Sequence, residues 1–281
     1  MAPSSQPVEE PVAVCAGLLK IYVSATGETH ALRGVDARFA RGTVTAVTGP
    51  SGSGKSSLLG VLALQERASG GELTVLGRPV GGLSGRAVTS LRRRHVSWVA
   101  QRPSHSLFPR LTAAQQLRQV AGLRGDDPRT PVQALDELGL APLAGSRPGE
   151  LSGGEQQRLA VAVATWGAPD LLVADEPTAE LDDESAVLVL EQLHRAAAAG
   201  SAVVLSTHDA RAVGAADRVL ALRHGVLSTE RDRGGRVTAP IDSTGRLQLP
   251  ADALELFPGG RALVERDGDG LRLRPVAEGD R

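Results

Sequence analysis

Residues 49–56 read Gly49-Pro50-Ser51-Gly52-Ser53-Gly54-Lys55-Ser56, the pattern G-x-x-x-x-G-K-[ST]. Thr45–Thr48 leads in as a short strand, and Ser57–Leu64 follows with a helix-like pattern, the context this loop requires. Glycines let the backbone curl so that successive N–H groups face phosphate oxygens, and the next helix adds its positive end. Lys55 is expected to reach the β- and γ-phosphates of a nucleotide, and the Ser56 hydroxyl to hold Mg²⁺. A glycine-rich loop ending in a stray lysine is the plain alternative, but the chain has two lysines, Lys20 and Lys55, against 29 arginines. A planar guanidinium does not replace a compact ammonium in a phosphate cradle.

At 281 residues the chain has room for one large α/β domain and a small appendage. A formal charge of −1 exerts no global pull toward nucleic acid or an anionic membrane. No apolar run approaches the ~20 residues that span a bilayer, and Met1–Glu10 reads as a short disordered leader without a signal peptide. Cys15 is the only cysteine, which excludes an intrachain disulfide framework and fits a cytoplasmic setting.

Downstream, Asp170-Leu-Leu-Val-Ala-Asp175-Glu176-Pro177 is an apolar strand ending in two carboxylates. Alone it could be a solvated acidic turn. Beside the phosphate loop, Asp175 is expected at the Mg²⁺ coordination sphere and Glu176 at the attacking water, as a base. Leu151-Ser152-Gly153-Gly154-Glu155-Gln-Gln-Arg158 then opens a helix predicted over 155–165, placing further amides at a helix N-terminus.

This Leu-Ser-Gly-Gly-Glu segment, about 20 residues before the acidic pair, resembles the signature motif of ATP-binding cassette (ABC) ATPases. The resemblance covers residues 11 to about 230. It implies that Gly49 to Ser57 bind ATP and that Gln101 touches Mg²⁺ with Ser56 and Asp175. It further implies that His208 contacts the γ-phosphate and Tyr22, the only tyrosine, stacks on adenine. Strand-end amides, structural histidines and core tyrosines are the ordinary alternatives for Gln101, His208 and Tyr22. Ser152, Gly153, Gly154 and Glu155 are expected to face the phosphate loop of an opposing subunit, with Asp182 in a loop that meets it. The catalytic set so implied is Lys55, Glu176 and His208, with ATP and Mg²⁺. Two positions depart from the family pattern: Ala179-Glu180 in the Asp182 loop, and Val163 where arginine is frequent.

Local texture around Leu91–Gln101, Ser106–Thr112 and Ala174–Asp182 is similar to the lipoprotein-releasing and macrolide-export branch. The implied fold is α/β: a phosphate-loop core, an antiparallel β portion near 11–48 and 72–80, and a helical subdomain over about 102–165. Helix-like segments are read at Ala113–Leu123 and Val132–Leu138. An amphipathic helix is read at Asp182–Ala199, with Val187, Leu190, Leu193 and His194 near one face, then a strand at Ala202–Ser206. The implied partners are a second copy or a related ATPase, head to tail, and a separate membrane permease. The chain would then sit in the cytoplasm at the inner face of the membrane. A regulatory or force-transmitting ATPase that moves no solute is the competing reading.

After Gly225 the cassette pattern ends. Ser228–Gly235 reads as a linker, closing at 231–235. Residues 236–275 form a small β appendage and 276–281 a tail. Asp242-Ser-Thr-Gly-Arg246-Leu-Gln-Leu-Pro250, a helix, Pro-Gly-Gly260 and a closing hairpin resemble the swapped-hairpin modules of AbrB-like regulators. From Arg236 to Arg281 there are seven arginines and eight carboxylates, which argues against DNA binding and for dimerisation or regulation. An ordinary hairpin extension is the alternative.

Overall fold

A computed structural model describes residues 11–25, 27–125, 127–241, 247–249, 251–257, 261–268 and 270–276. Its elements begin with β1 (Pro11–Ser24), β2 (Gly27–Ala40), β3 (Val44–Thr48), α1 (Lys55–Leu62), β4 (Gly70–Val75), β5 (Arg78–Pro79), α2 (Gly85–His95) and β6 (Val96–Val99). The helical segment follows as α3 (Ala113–Arg124), α4 (Pro131–Asp136) and α5 (Gly153–Thr165). Then come β7 (Leu171–Asp175), α6 (Asp183–Ala198), β8 (Ala202–Ser206), α7 (Ala210–Ala215), β9 (Arg218–Arg223) and β10 (Val226–Asp232). The C-terminal elements are β11 (Val237–Thr238), α8 (Ala251–Leu254), β12 (Ala262–Asp267) and β13 (Gly270–Pro275).

Two sheets frame the site. The larger runs β11-β10-β9-β3-β8-β7-β6, parallel from β9 through β6. The smaller is antiparallel, β2-β1-β4-β5. Every residue of β7 and β8 is buried, as parallel strands with both faces covered must be. Alternation sends Leu171, Val173 and Val204 toward α1 and the antiparallel sheet, and Leu172, Val203 and Leu205 toward α3, α5 and α6. The sheet is therefore a wall between two cores.

Several expectations move. Residues 44–48 belong to the parallel sheet, not to the antiparallel portion, because both faces of β3 find apolar cover. Helix α5 starts at Gly153, since Ser152 and Glu155 form a capping box. Helix α4 starts at Pro131, capped by Thr130, with the proline in the first turn where its missing N–H costs nothing. On α6, Val187 is 47% exposed, and the buried stripe is Ala186, Val189, Leu190 and Leu193.

The expected linker is largely strand. Val226–Asp232 pairs antiparallel with β9 through a two-residue turn, His224-Gly225, both at positive φ (50° and 78°). That turn matches the right-handed twist of the flanking strands. Beyond it, β12 and β13 form a separate antiparallel hairpin. Asp242–Arg246, Pro250 and Pro258–Gly260 of the AbrB-like pattern lie outside the described residues, as do the leader 1–10 and 277–281.

Candidate functional site

Backbone geometry builds the phosphate cradle. Gly49 has φ +147°, and a Cβ there would lie 2.1 Å from the Leu222 carbonyl oxygen. Gly54, at φ +104°, would place a Cβ 2.3 Å from the Ala31 carbonyl oxygen. Both positions therefore exclude any side chain. Gly54 precedes α1 with no side-chain cap, and the first turn of that helix holds no carboxylate. Its N–H groups are left for an anion. Lys55, only 8% exposed, donates to the carbonyl oxygens of Gly49 at 2.7 Å and Pro50 at 3.1 Å, and meets no carboxylate among the described residues. The buried Ser53 hydroxyl oxygen has no hydrogen-bond partner. An unneutralised cation, open amides and an orphaned hydroxyl fit a polyphosphate.

The acidic pair sits at the end of β7, one strand removed from β3 across β8. The Ser206 hydroxyl donates to Asp175 Oδ1 at 2.5 Å and accepts from the Glu176 N–H at 3.0 Å. Glu176 adopts a left-handed φ of 50°, which costs a non-glycine residue about 1 kcal/mol. Its Oε1 lies 3.2 Å from His208 Nε2, while Oε2 accepts from the His208 N–H at 3.3 Å. The other oxygen of Asp175 makes no hydrogen bond among the described residues, which leaves it available to a cation. With Ser56 and Gln101 on the same cleft, the donor set is hard oxygen, suited to Mg²⁺.

One cleft gathers Tyr22, Ser51 to Ser57, Gln101, Asp175, Glu176 and His208, together with Thr29, His30 and Ala31. The Tyr22 hydroxyl donates to Glu66 Oε2 at 2.7 Å and lies 3.2 Å from Ser57 Oγ. Lys20 Nζ stands 4.8 Å from the centre of its ring. Burial and the Glu66 carboxylate push the Tyr22 phenol above its ordinary pKa. Burial alone would raise Glu66, but hydrogen bonds from Lys20 and Tyr22 outweigh it and hold that carboxylate below its usual range.

Ser152, Gly153, Gly154, Glu155 and Asp182 do not line this cleft. Ser152 instead caps α5, with its N–H and hydroxyl bonded to Glu155 Oε2 at 2.7 and 2.8 Å. Those bonds hold the Glu155 carboxyl below its ordinary pKa. Asp182 caps α6 by accepting from the Ser185 N–H at 2.8 Å, and this bond lowers its pKa in the same way.

A family model of ABC transporters matches residues 32–179. The lipoprotein-releasing system ATP-binding protein LolD 2 of Caulobacter vibrioides is 37% identical over 229 residues, covering 80% of this chain and all of that protein. The chain belongs to the ABC transporter ATPases. The macrolide export ATP-binding/permease protein MacB of Chlorobium luteolum is 36% identical across 84% of the chain, which spans only 35% of that protein. Among solved structures, the ATP-binding cassette MJ0796, in a dimeric post-hydrolysis state bound to ADP and Pi, superposes with a TM-score of 0.72. It is 26% identical and covers 79% of this chain and 98% of its own.

Sequence reading of this ABC ATPase missed the residues that join its motifs. Ser206 bridges Asp175 and Glu176. Gln157, buried on α5, donates to the Pro177 carbonyl at 3.2 Å. Arg158, also on α5, donates to the Ser185 hydroxyl, which in turn donates to Asp182 Oδ2. Gln157 and Arg158 stand inside the quoted signature stretch, so their positions were visible but their partners were not.

Proposed function

We propose that this ABC ATPase powers a separate membrane permease, closing head to tail around ATP with a second copy or a related ATPase. The observation that carries the reading is the division of motifs. Phosphate loop, acidic pair and His208 share one cleft, whereas the signature loop lies outside it. A second subunit's signature loop would complete the site. LolD and MacB, as their names state, serve lipoprotein release and macrolide export, and MacB combines ATP-binding and permease functions. Among the described residues no helix is long and apolar enough to cross a membrane. The ATPase would then work at the inner face of the cell membrane.

ATP is the substrate. Ser56, Asp175 and Gln101 would hold Mg²⁺, which when bound would offset the negative charge of the phosphates. Lys55 would exchange its two carbonyl bonds for phosphate oxygens. Glu176, fixed between Ser206 and His208, would accept a proton from the attacking water, and His208 would orient that carboxylate. Tyr22 would supply a ring face to adenine. We assign the tail, residues 236–275, to self-association of AbrB-like type. One face of its hairpin presents Val264 (63% exposed) and Leu271 (71%), and two strands alone are marginal in water.

The test is ATP turnover by the wild type and Glu176→Gln, with oligomeric state followed on adding ATP and Mg²⁺. A wild type that turns over and a variant that stalls as an ATP-bound dimer support the reading. A wild type that neither hydrolyses nor dimerises, even with candidate membrane subunits, overturns it.

A further inference from the structure

A net charge near zero conceals a strong segregation. Residues 73–125 contain nine arginines and not one aspartate or glutamate, while the rest of the chain carries 22 cations against 32 carboxylates. Two of the nine are engaged. Arg92 donates to the Leu64 carbonyl and Gln65, and Arg124 to the Val96 carbonyl at 2.9 Å. The other seven make no ion pair and no side-chain hydrogen bond among the described residues. Elsewhere some arginines find carboxylates, as Arg129 meets Asp127 and Glu137 and Arg211 meets Asp209 and Asp183, while others such as Arg38, Arg67 and Arg223 do not among the described residues. What sets 73–125 apart is that the segment itself holds no carboxylate to offer its arginines.

Helix α2 concentrates the effect. Arg86, Ser90, Arg93 and Arg94 follow one face at helical spacing and line a groove whose other wall is the end of α3, with Leu123 43% exposed beside them. Three arginines line this groove, and no carboxylate among the described residues lines it with them. The last turn of a helix welcomes cations, which could account for Arg93 and Arg94. It does not account for Arg86, which stands in the first turn, where the helix dipole disfavours positive charge and where no acidic residue is present. Groups held against both mutual repulsion and the local dipole suit an external anion.

We propose that the α2–α3 face binds the phosphate headgroups of an anionic lipid bilayer. Guanidiniums pair bidentately with phosphate, and Ser90 offers a further hydroxyl. Leu123 gives the groove an apolar rim able to meet the acyl boundary. The charge is spread over exposed helix rather than set in a shaped pocket, which fits a sheet of headgroups. The inference rests on the proposed function only in placing the chain beside a membrane.

The experiment uses the full chain, without ATP or any membrane subunit. It is floated with vesicles of phosphatidylcholine alone or with about 30% phosphatidylglycerol. The expected result is binding to the anionic vesicles only, weakening with salt, and falling about tenfold or more in the combined variant Arg86→Glu, Arg93→Glu, Arg94→Glu. A neutral variant, Arg93→Gln with Arg94→Gln, should lose an intermediate share. Basal ATP turnover should stay within about twofold in both, since none of these side chains lines the nucleotide cleft. Arg266→Glu on the tail is the control. Absence of binding, equal binding by the variants, or binding only when the vesicles carry a membrane subunit would each overturn the proposal. The last outcome would assign the face to an acidic protein loop. A failed flotation beside a normal ATP-trapped dimer of Glu176→Gln sinks this inference alone.

Discussion

Gln157 and Pro177 are joined by a buried hydrogen bond of 3.2 Å, which ties the signature helix to the residue directly after Glu176. Gln157→Leu keeps the volume but leaves the Pro177 carbonyl unbonded away from water. Stability should fall by about 1–3 kcal/mol in urea denaturation. ATP affinity should hold while turnover drops, because the Glu176 backbone loses a support for its left-handed conformation. Equal losses in affinity and turnover would count against this role.

Ser206→Ala removes the hydroxyl that serves Asp175 and Glu176 together. Hydrogen bonds to charged groups are worth about 1.5–3 kcal/mol, so turnover should fall roughly tenfold to a hundredfold. Single-turnover kinetics should place the loss in the chemical step. Unchanged kinetics would show that Glu176 and His208 hold their geometry unaided.

Two glycines of the same loop should respond differently to alanine. At Gly49 the added Cβ would meet the Leu222 carbonyl, so Gly49→Ala should cost about 3 kcal/mol or more and abolish nucleotide binding. At Gly52, with φ +75° and nothing within 4 Å, the cost should be about 1–2 kcal/mol from backbone strain alone. Thermal melts and nucleotide titrations of the pair check the ordering.

Tyr22→Ala should weaken ATP binding by about 1–3 kcal/mol, the usual worth of a stacked base, with kcat little changed. Tyr22→Phe should retain most of the affinity, having lost only the Glu66 and Ser57 bonds. If phenylalanine is as damaging as alanine, the hydroxyl rather than the ring is what matters.

Asp127 offers a pH test. Burial alone would raise its pKa, but bonds from Arg129 and the Gly167 N–H outweigh this and hold it below the ordinary value of 3.8. A carboxylate depressed in the folded state contributes its stability fully above the unfolded value and loses it as pH falls through the folded one. Asp127→Asn should therefore be clearly less stable than wild type at about pH 6, and the gap should close toward about pH 3. A gap that stays constant would exclude this carboxylate from acid unfolding.

Much of the site was legible because its chemistry is local. Gly49 to Ser56, Ser152 to Glu155 and the Asp175-Glu176 pair each form contiguous motifs, and β8 lies where Ala202–Ser206 was read. Contacts between motifs were not legible: Ser206 looks like any strand-end serine until β7 is placed beside β8. Strand β10 was hidden because Ser228-Thr-Glu-Arg-Asp is polar, as an exposed sheet margin can be, and polar runs read as linker. On α6 Leu190 and Leu193 do lie on the buried face, but part of that face is alanine, so the larger Val187 was placed there in place of Ala186. Helix α2 was unread for a related reason: Leu91 is its sole buried residue and arginine supplies most of its last turn.

Gly225 has a place in the phosphate loop's own fabric. Its N–H reaches the Ser53 carbonyl at 2.9 Å, and its carbonyl accepts from the Arg33 N–H at 2.8 Å. Strand β10, the root of the whole C-terminal tail, starts at the very next residue. The tail is thus tied to the nucleotide cradle through a single strand. A load hung on it must first peel β10 from β9, and only then reaches the loop that grips the nucleotide.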